Sequence, residues 1–252
     1  MEIDKIQGNN ERGIVELREM IGASERIVFF GGAGTSTESG IRDFRGKNGL
    51  YRDKVGDLSP ETILSHDFFF RDPETFYGYY RTHFLQTGMQ PNPAHKALAR
   101  LEELGKLTCV VTQNIDGLHE DAGSRTVYHL HGTVTRNYCT ECGKEYPTSR
   151  LAAEEGIPHC ECGGLVRPDV VLYGESLPDR EFDAAIAAIS DADMLIVGGT
   201  SLTVWPAAGL IGYSSAPLVL INRDPTPADS SAALVFRQPI GEVLGQLRVN
   251  GK

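Results

Sequence analysis

Four cysteines, Cys139, Cys142, Cys160 and Cys162, stand as two close pairs joined by a linker of helical character. Two such knuckles can set four thiolates tetrahedrally around one zinc ion. A shell of four thiolates leaves no position for water, so the expected metal is structural. His159 lies near enough to compete as a ligand, but four thiolates already complete the shell. An iron centre of rubredoxin type would use similar ligands, though on a fold without a large α/β part. The fifth cysteine, Cys109, lies in the apolar run Leu107–Val111 and reads as a buried core thiol.

A second chemical signal is the glycine turn Gly31–Gly40, which follows the apolar run Ile27–Phe30. A strand feeding such a turn and then a helix start aims backbone N–H groups at a pyrophosphate. Thr37 stands where the usual dinucleotide fingerprint has its third glycine, and no second strand ending in an acidic residue follows. The turn is therefore compatible with dinucleotide binding and with a plain tight turn. Asp43, Phe44 and Arg45 come next. They suit a loop holding its own salt bridges, or a lid over a flat ring and a phosphate.

The third signal is Thr112–His119, which opens directly after the apolar run ending at Val111. In a doubly wound sheet the ligand crevice lies at the carboxyl ends of the strands. Gln113, Asn114 and Asp116 there can hydrogen-bond ribose hydroxyls and a carboxamide. A helix cap would account for one of the three. Seven histidines leave the choice of a general base open from residue type alone. His131 is favoured by its place at an expected strand end, before Gly132.

These groups need a scaffold, and the apolar pattern supplies one. Ile27–Phe30, Thr108–Val111, Asp169–Leu172, Met194–Val197 and Leu218–Ile221 are short, apolar and mostly β-branched, as strands of a parallel sheet buried on both faces are. Asp72-Pro73 and Asn92-Pro93 each place a cap before a proline at a helix start. The Asn92 helix should run to Gly105, with others over Ala184–Ile189 and Ile240–Leu247. The alternation predicts a doubly wound α/β fold. Residues 1–49, 89–137 and 167–252 are assigned to it. Residues 50–88, helical and aromatic, and 138–166, with the cysteines, are assigned to an inserted small domain.

A net charge of −10 argues against direct nucleic-acid binding and keeps a protein soluble. The acidic, polar start and the lack of any long apolar run predict a cytoplasmic protein without a membrane segment.

Gly32–Gly46, Thr112–His119, His129–Gly132, the cysteine quartet and Gly199–Ser201, in this order, resemble the sirtuins. The resemblance covers nearly the whole chain and implies a bacterial NAD-dependent protein deacylase. The implied fold is a Rossmann-like parallel sheet with an inserted zinc-ribbon and helical domain. NAD contacts implied are Ala33, Gly34, Thr37, Phe44 and Arg45, then Gln113, Thr200, Ser201, Asn222 and Ile240. Asn114, Ile115 and Asp116 would line the nicotinamide pocket with Phe44, and His131 would be the general base, with Asn114 and Asp116 assisting. Val171, Tyr173 and Gly174 would meet the acyl-lysine. The partner implied is an acyl-lysine peptide, paired as a strand with Gly174-Glu175 and Leu202–Val204, and the enzyme is expected to be a monomer.

Three positions depart from the family or differ within it. Arg42 replaces a common proline, which predicts a looser cofactor loop, and Tyr173 replaces a common phenylalanine. Family members that prefer succinyl-type groups carry a tyrosine and, three residues later, an arginine. Here Tyr77 fits the first place, Tyr80 takes the arginine's, and Arg81 should point away from the tunnel. Acetyl and other neutral acyl groups are thus expected. A protein ADP-ribosyltransferase on the same scaffold and a non-enzymatic NAD sensor are the rival readings. A hydride-transfer dehydrogenase fits less well, because the third glycine and the acidic ribose ligand are absent.

Overall fold

The computed structural model describes residues 6–7, 11–44, 46, 49–85 and 88–247. Its first strands are β1 (Ile6–Gln7), β2 (Ile27–Gly31), β3 (Leu107–Thr112), β4 (Val127–His129) and β5 (Gly132–Cys139). They are followed by β6 (Glu145–Pro147), β7 (Val166–Val170), β8 (Met194–Gly198), β9 (Leu218–Ile221) and β10 (Leu234–Phe236). The helices are α1 (Glu11–Ala23), α2 (Pro60–Ile63), α3 (His66–Arg71), α4 (Pro73–Phe84) and α5 (Pro93–Glu103). After them come α6 (Leu118–Asp121), α7 (Thr148–Ala153), α8 (Asp179–Asp191) and α9 (Ile240–Leu244).

Seven strands form one parallel sheet in the order β1-β10-β9-β8-β2-β3-β4. From β2 the chain winds outward first through β3 and β4, then on the other side through β8, β9 and β10. The carboxyl ends of β2, β3 and β8 therefore meet at the switch point, where an open α/β sheet leaves its crevice. Alternation along β2 supplies both faces. Ile27 and Phe29 join the core beneath α1, α5 and α9, while Val28 and Phe30 join the one beneath α8. The doubly wound architecture is as the apolar pattern predicts. Asn92 also behaves as expected, its side chain accepting from Ala94 N at 2.9 Å to cap α5, which closes near Gly105 at φ +72°.

Two local expectations are corrected. Asp169–Leu172 is not a strand of the parallel sheet. Val166–Val170 pairs antiparallel with β5, and β6 completes a separate three-stranded sheet, β6-β5-β7. An apolar β-branched run does not say which sheet will receive it. The glycine turn also leads into no regular helix. Ala33–Thr35 and Thr37–Ser39 are two short 3-10 turns without a side-chain cap. The final helix stops at Leu244, where Gly245 serves as its cap.

Segments 63–85 and 134–172 share a single apolar cluster that includes Phe69, Phe76, Tyr77, Tyr80, Tyr146 and two of the cysteines. Rings there pack edge-on, as Phe69 does on Phe76 at 4.9 Å and 84°. No described helix is long and apolar enough to cross a membrane.

The two layers of the crevice meet with no side chain between them. Gly34 N donates to Gly199 O at 2.8 Å, and Gly199 has φ +60°. A Cβ on Gly199 would lie 2.3 Å from Thr35 N. Gly199→Ala is therefore expected to lower stability by about 2–4 kcal/mol, combining backbone strain with steric overlap. A urea-unfolding midpoint equal to that of the unmodified chain would contradict it.

Candidate active site

A cavity of about 800 Å³ opens over the carboxyl ends of β2, β3 and β8. One wall is the glycine turn, through Ala33, Gly34 and Thr37, and Phe44 continues it. Gln113, Asn114, Ile115 and His131 line it as well, as do Thr200, Ser201, Asn222 and Ile240. Val171, Tyr173 and Gly174 line the same space, beside Tyr80, Phe84 and Leu64 from the helical segment. Arg45 lies outside the described residues. Asp116 differs from the rest, because it does not line the cavity.

Asp116 instead stands behind the wall. Its carboxylate accepts from Ser36 Oγ at 2.7 Å and from Leu118 N at 3.0 Å. Asn114 Nδ2 donates to the same Ser36 hydroxyl at 3.0 Å. The Ser36 hydroxyl thus donates to Asp116 and accepts from Asn114, which fixes the Asn114 amide in orientation.

Sequence reading missed two members of this layer. His95, fully buried, places Nε2 at 3.4 Å from Ser36 Oγ, and burial pushes its pKa down to about 4. Asn92 was legible only as a cap. Its Nδ2 also donates to Thr35 O at 2.7 Å and Ser39 Oγ at 3.1 Å, tying α5 to the glycine turn. The available signal was the Asn92-Pro93-Ala94-His95 spacing, because a histidine three residues after the cap closes a capping box through Nδ1.

His131 occupies the turn between β4 and β5. Its Nδ1 lies 2.9 Å from Gln113 O. A carbonyl can only accept, so Nδ1 carries the proton and Nε2 keeps the free lone pair. Burial lowers the His131 pKa from its ordinary value, against the opposing pull of the Gln113 carbonyl. Gln113 reaches the other way through Nε2, which donates to Thr200 Oγ1 at 3.1 Å and joins β3 to β8 across the crevice. Two neighbouring candidates are engaged elsewhere. His129 pairs with Glu120, and exposed His159 has Nδ1 at 3.3 Å from Gly163 O.

Both departures noted in the sequence are accounted for. The expected loosening by Arg42 is corrected, because its guanidinium makes a two-point ion pair with Asp53, one arm at 3.2 Å. That pair ties the start of the loop to its end, where a proline would make no such contact. Leu50 N also donates to Asp43 O at 2.9 Å and Tyr51 N to Phe44 O at 3.1 Å. The added hydroxyl of Tyr173 meets that of Tyr51.

The loop carrying Val171 and Tyr173 is set by a charge pair. Arg167, 7% exposed, holds Glu175 through both guanidinium nitrogens, at 2.6 and 3.0 Å. Glu175 Oε2 accepts Leu172 N at 2.8 Å, and Val171 N donates to His131 O at 2.9 Å. The wall and the histidine are therefore one connected unit.

Cys139, Cys142, Cys160 and Cys162 bring all four sulfur atoms within 4.8 Å of one another. That spacing fits the edges of one tetrahedral thiolate shell, so the residues present suit zinc. Tyr146 OH donates to Cys160 Sγ at 3.0 Å. With the N–H of Cys162, that bond lowers the Cys160 pKa to about 6, favouring the thiolate a metal needs. His159 is not part of the group.

Comparison with known proteins agrees with this geometry. The Sir2 family profile matches residues 32–206. The chain is 54% identical to an NAD-dependent protein deacetylase of Clostridium perfringens, covering 93% of this chain and 98% of that one. A protein of the same name from Clostridium acetobutylicum is 52% identical, with 92% and 96% covered. A solved Sir2–p53 peptide–NAD+ structure superposes with a TM-score of 0.80 at 39% identity, covering 91% of this chain and 94% of that one.

Cys160→Ser is expected to release the metal and destabilise the small aromatic cluster, because ligand binding and folding are coupled at such sites. Metal analysis with a thermal melt checks this. A zinc-free variant that melts like the unmodified chain would refute the structural role.

Proposed function

The chain belongs to the Sir2 family, and from that premise we propose that it removes acetyl groups from protein lysines by consuming NAD. NAD would supply the ribose carbon that takes up the acyl oxygen as nicotinamide leaves, and one water is consumed in releasing the lysine amine. Acetyl-lysine, NAD and water thus give free lysine, nicotinamide and O-acetyl-ADP-ribose. The observation that carries the reading is His131, a proton acceptor with its protonated nitrogen tied down, lining one cavity together with the glycine turn.

In this reading the chain's own residues divide the work. The turn at Ala33 and Gly34 presents backbone to the pyrophosphate, with Thr37 beside it, while Phe44 lines the nicotinamide pocket and Arg45 is a further NAD contact. Gln113, Thr200 and Ser201 meet the ribose, while Asn222 and Ile240 line the adenosine side. Asn114 and Ile115 receive the carboxamide. Asp116 acts at one remove, orienting Asn114 through Ser36. Val171, Tyr173 and Gly174 hold the acyl-lysine in line for attack, and such orientation can supply much of the rate. His131 Nε2 takes the proton from the ribose hydroxyl. Peptide backbone would pair with Gly174-Glu175 and Leu202–Val204.

Acyl preference follows from charge. Tyr80 lines the cavity with a buried hydroxyl that has no described partner, and burial raises its pKa, so it stays neutral. Arg81 is engaged elsewhere, donating from Nε to Leu151 O at 2.8 Å and lying over the Tyr77 ring. Among the described lining residues the lysine and arginine complement is Arg223 alone, next to Asn222. A succinyl carboxylate would lie unpaired, at an effective cost of several kcal/mol. The enzyme is read as a monomer, and a four-thiolate zinc site suits the reducing cytoplasm.

Two measurements test this. Incubation with NAD and matched acetyl and succinyl peptides, followed by mass spectrometry, is expected to give O-acetyl-ADP-ribose and a succinyl kcat/KM on the order of 100-fold lower. ADP-ribose attached to protein would favour the transferase reading, and NAD binding without nicotinamide release would favour a sensor. His131→Ala should cut kcat by about 10²–10⁴-fold while NAD binding persists. Because a base works only when deprotonated, and burial lowers this pKa, kcat/KM should stay level above about pH 6.5 and fall below it. An acid limb centred above neutrality would exclude His131.

A further inference from the structure

Six large apolar side chains are exposed among the described residues, and two of them, Tyr173 and Trp205, line the cavity. The Tyr173 hydroxyl is engaged with Tyr51. Trp205 is 76% exposed, and it is the only tryptophan of the chain. An indole left that open is unusual without a ligand for its face.

The ring is not a loose surface group. A Cβ on Gly209 would lie 2.6 Å from its Cζ3, so the indole rests on that backbone. Ala208 N donates to Val204 O at 2.8 Å and Gly209 N to Pro206 O at 2.9 Å, fixing the segment on both sides of the tryptophan. Leu202, at φ +54°, is the one described non-glycine residue with a left-handed backbone. That reversal carries the chain from Thr200 and Ser201 to Val204 and Trp205. Strain of this kind persists where a site requires it.

The surrounding charge indicates what the ring meets. Asp43, Glu175, Asp179 and Asp224 line the cavity against a single described arginine, Arg223, and the chain carries a net charge of −10. Glu175 is neutralised by Arg167, but Asp179 is exposed at the first turn of α8 and has no described partner. An electron-rich ring face in a cavity whose lining carries more carboxylates than cations is a site for a cation.

We propose that Trp205 is a specificity-determining residue that receives a lysine or arginine side chain flanking the acetyl-lysine of the substrate. The inference rests on the deacetylase reading and on the peptide passing Leu202–Val204, and it deepens that reading by naming the substrate class. A cation over a partly desolvated indole selects basic segments, whereas backbone pairing alone accepts any sequence.

The single tryptophan makes a direct test possible. Acetyl-lysine peptides with arginine, alanine or glutamate at the adjacent positions are titrated under selective tryptophan excitation, without NAD, and then assayed for kcat/KM with NAD. The arginine-flanked peptide is expected to shift the Trp205 emission and to exceed the alanine-flanked one in kcat/KM by about tenfold, mainly through KM. In Trp205→Ala that ratio should fall to within about twofold of unity, and Trp205→Phe should retain part of it. Equal ratios in the unmodified chain and in Trp205→Ala overturn the proposal, as does emission that responds to NAD but to none of the peptides. Absence of deacetylation on every peptide overturns the activity reading instead. The emission titration then still decides whether Trp205 selects a basic peptide.

Discussion

The site depends on one backbone contact, the close approach of Gly34 to Gly199 across the ends of β2 and β8. With no Cβ on either side, the glycine turn lies against the opposite lip of the crevice. Gln113 can then reach Thr200, and the chain carrying Asn222 and Ile240 faces the same space. A side chain on either glycine would force the two strand ends apart, because packed backbone deforms little. The three strand ends act as one structure through this contact.

Behind that edge lies a polar layer that positions a cavity-lining group. Ser36, Asp116 and His95 form a connected set that holds Asn114, and Asn92 fastens it to the start of α5. The Asp116 carboxylate accepts the Ser36 proton, and the Ser36 oxygen in turn accepts from the Asn114 amide. His95 is kept neutral by burial, so the layer adds no second charge at neutral pH. The same economy appears at His131, where a backbone carbonyl sets the tautomer without adding a formal charge.

The smaller aromatic and cysteine-bearing cluster contributes in another way. It supplies Tyr80, Phe84 and Leu64 to the cavity, and Arg167 extends its reach to the substrate loop through Glu175. The Arg167 guanidinium also lies over the rings of Phe69 and Tyr138, 5.7 and 5.8 Å from their centroids. A charge pair this buried is well satisfied only in one geometry, so it carries the packing of the cluster to the wall at Val171 and Tyr173.

The residue order alone determined the doubly wound class, the helix caps at Asp72 and Asn92, and the metal quartet, because each rests on local spacing or on period. A short, wholly apolar run such as Ile27–Phe30 and a proline after a capping residue need no knowledge of the rest of the chain. Gln113 and Asn114 were legible for a related reason, since they follow directly on a strand, whereas Ala33, Thr37, Phe44 and Ile115 were implied by the family resemblance. Tertiary structure decided the remainder. It assigned Val166–Val170 to the small antiparallel sheet, turned the segment after Gly34 into 3-10 turns, drew Asp116 out of the cavity and brought Asn92 and His95 to its back wall. It also converted Arg42 from an apparent loosening into a tether through Asp53. Each of these depends on a partner distant in the chain or on competition between sheets, and neither spacing nor periodicity encodes which distant partner a side chain will meet.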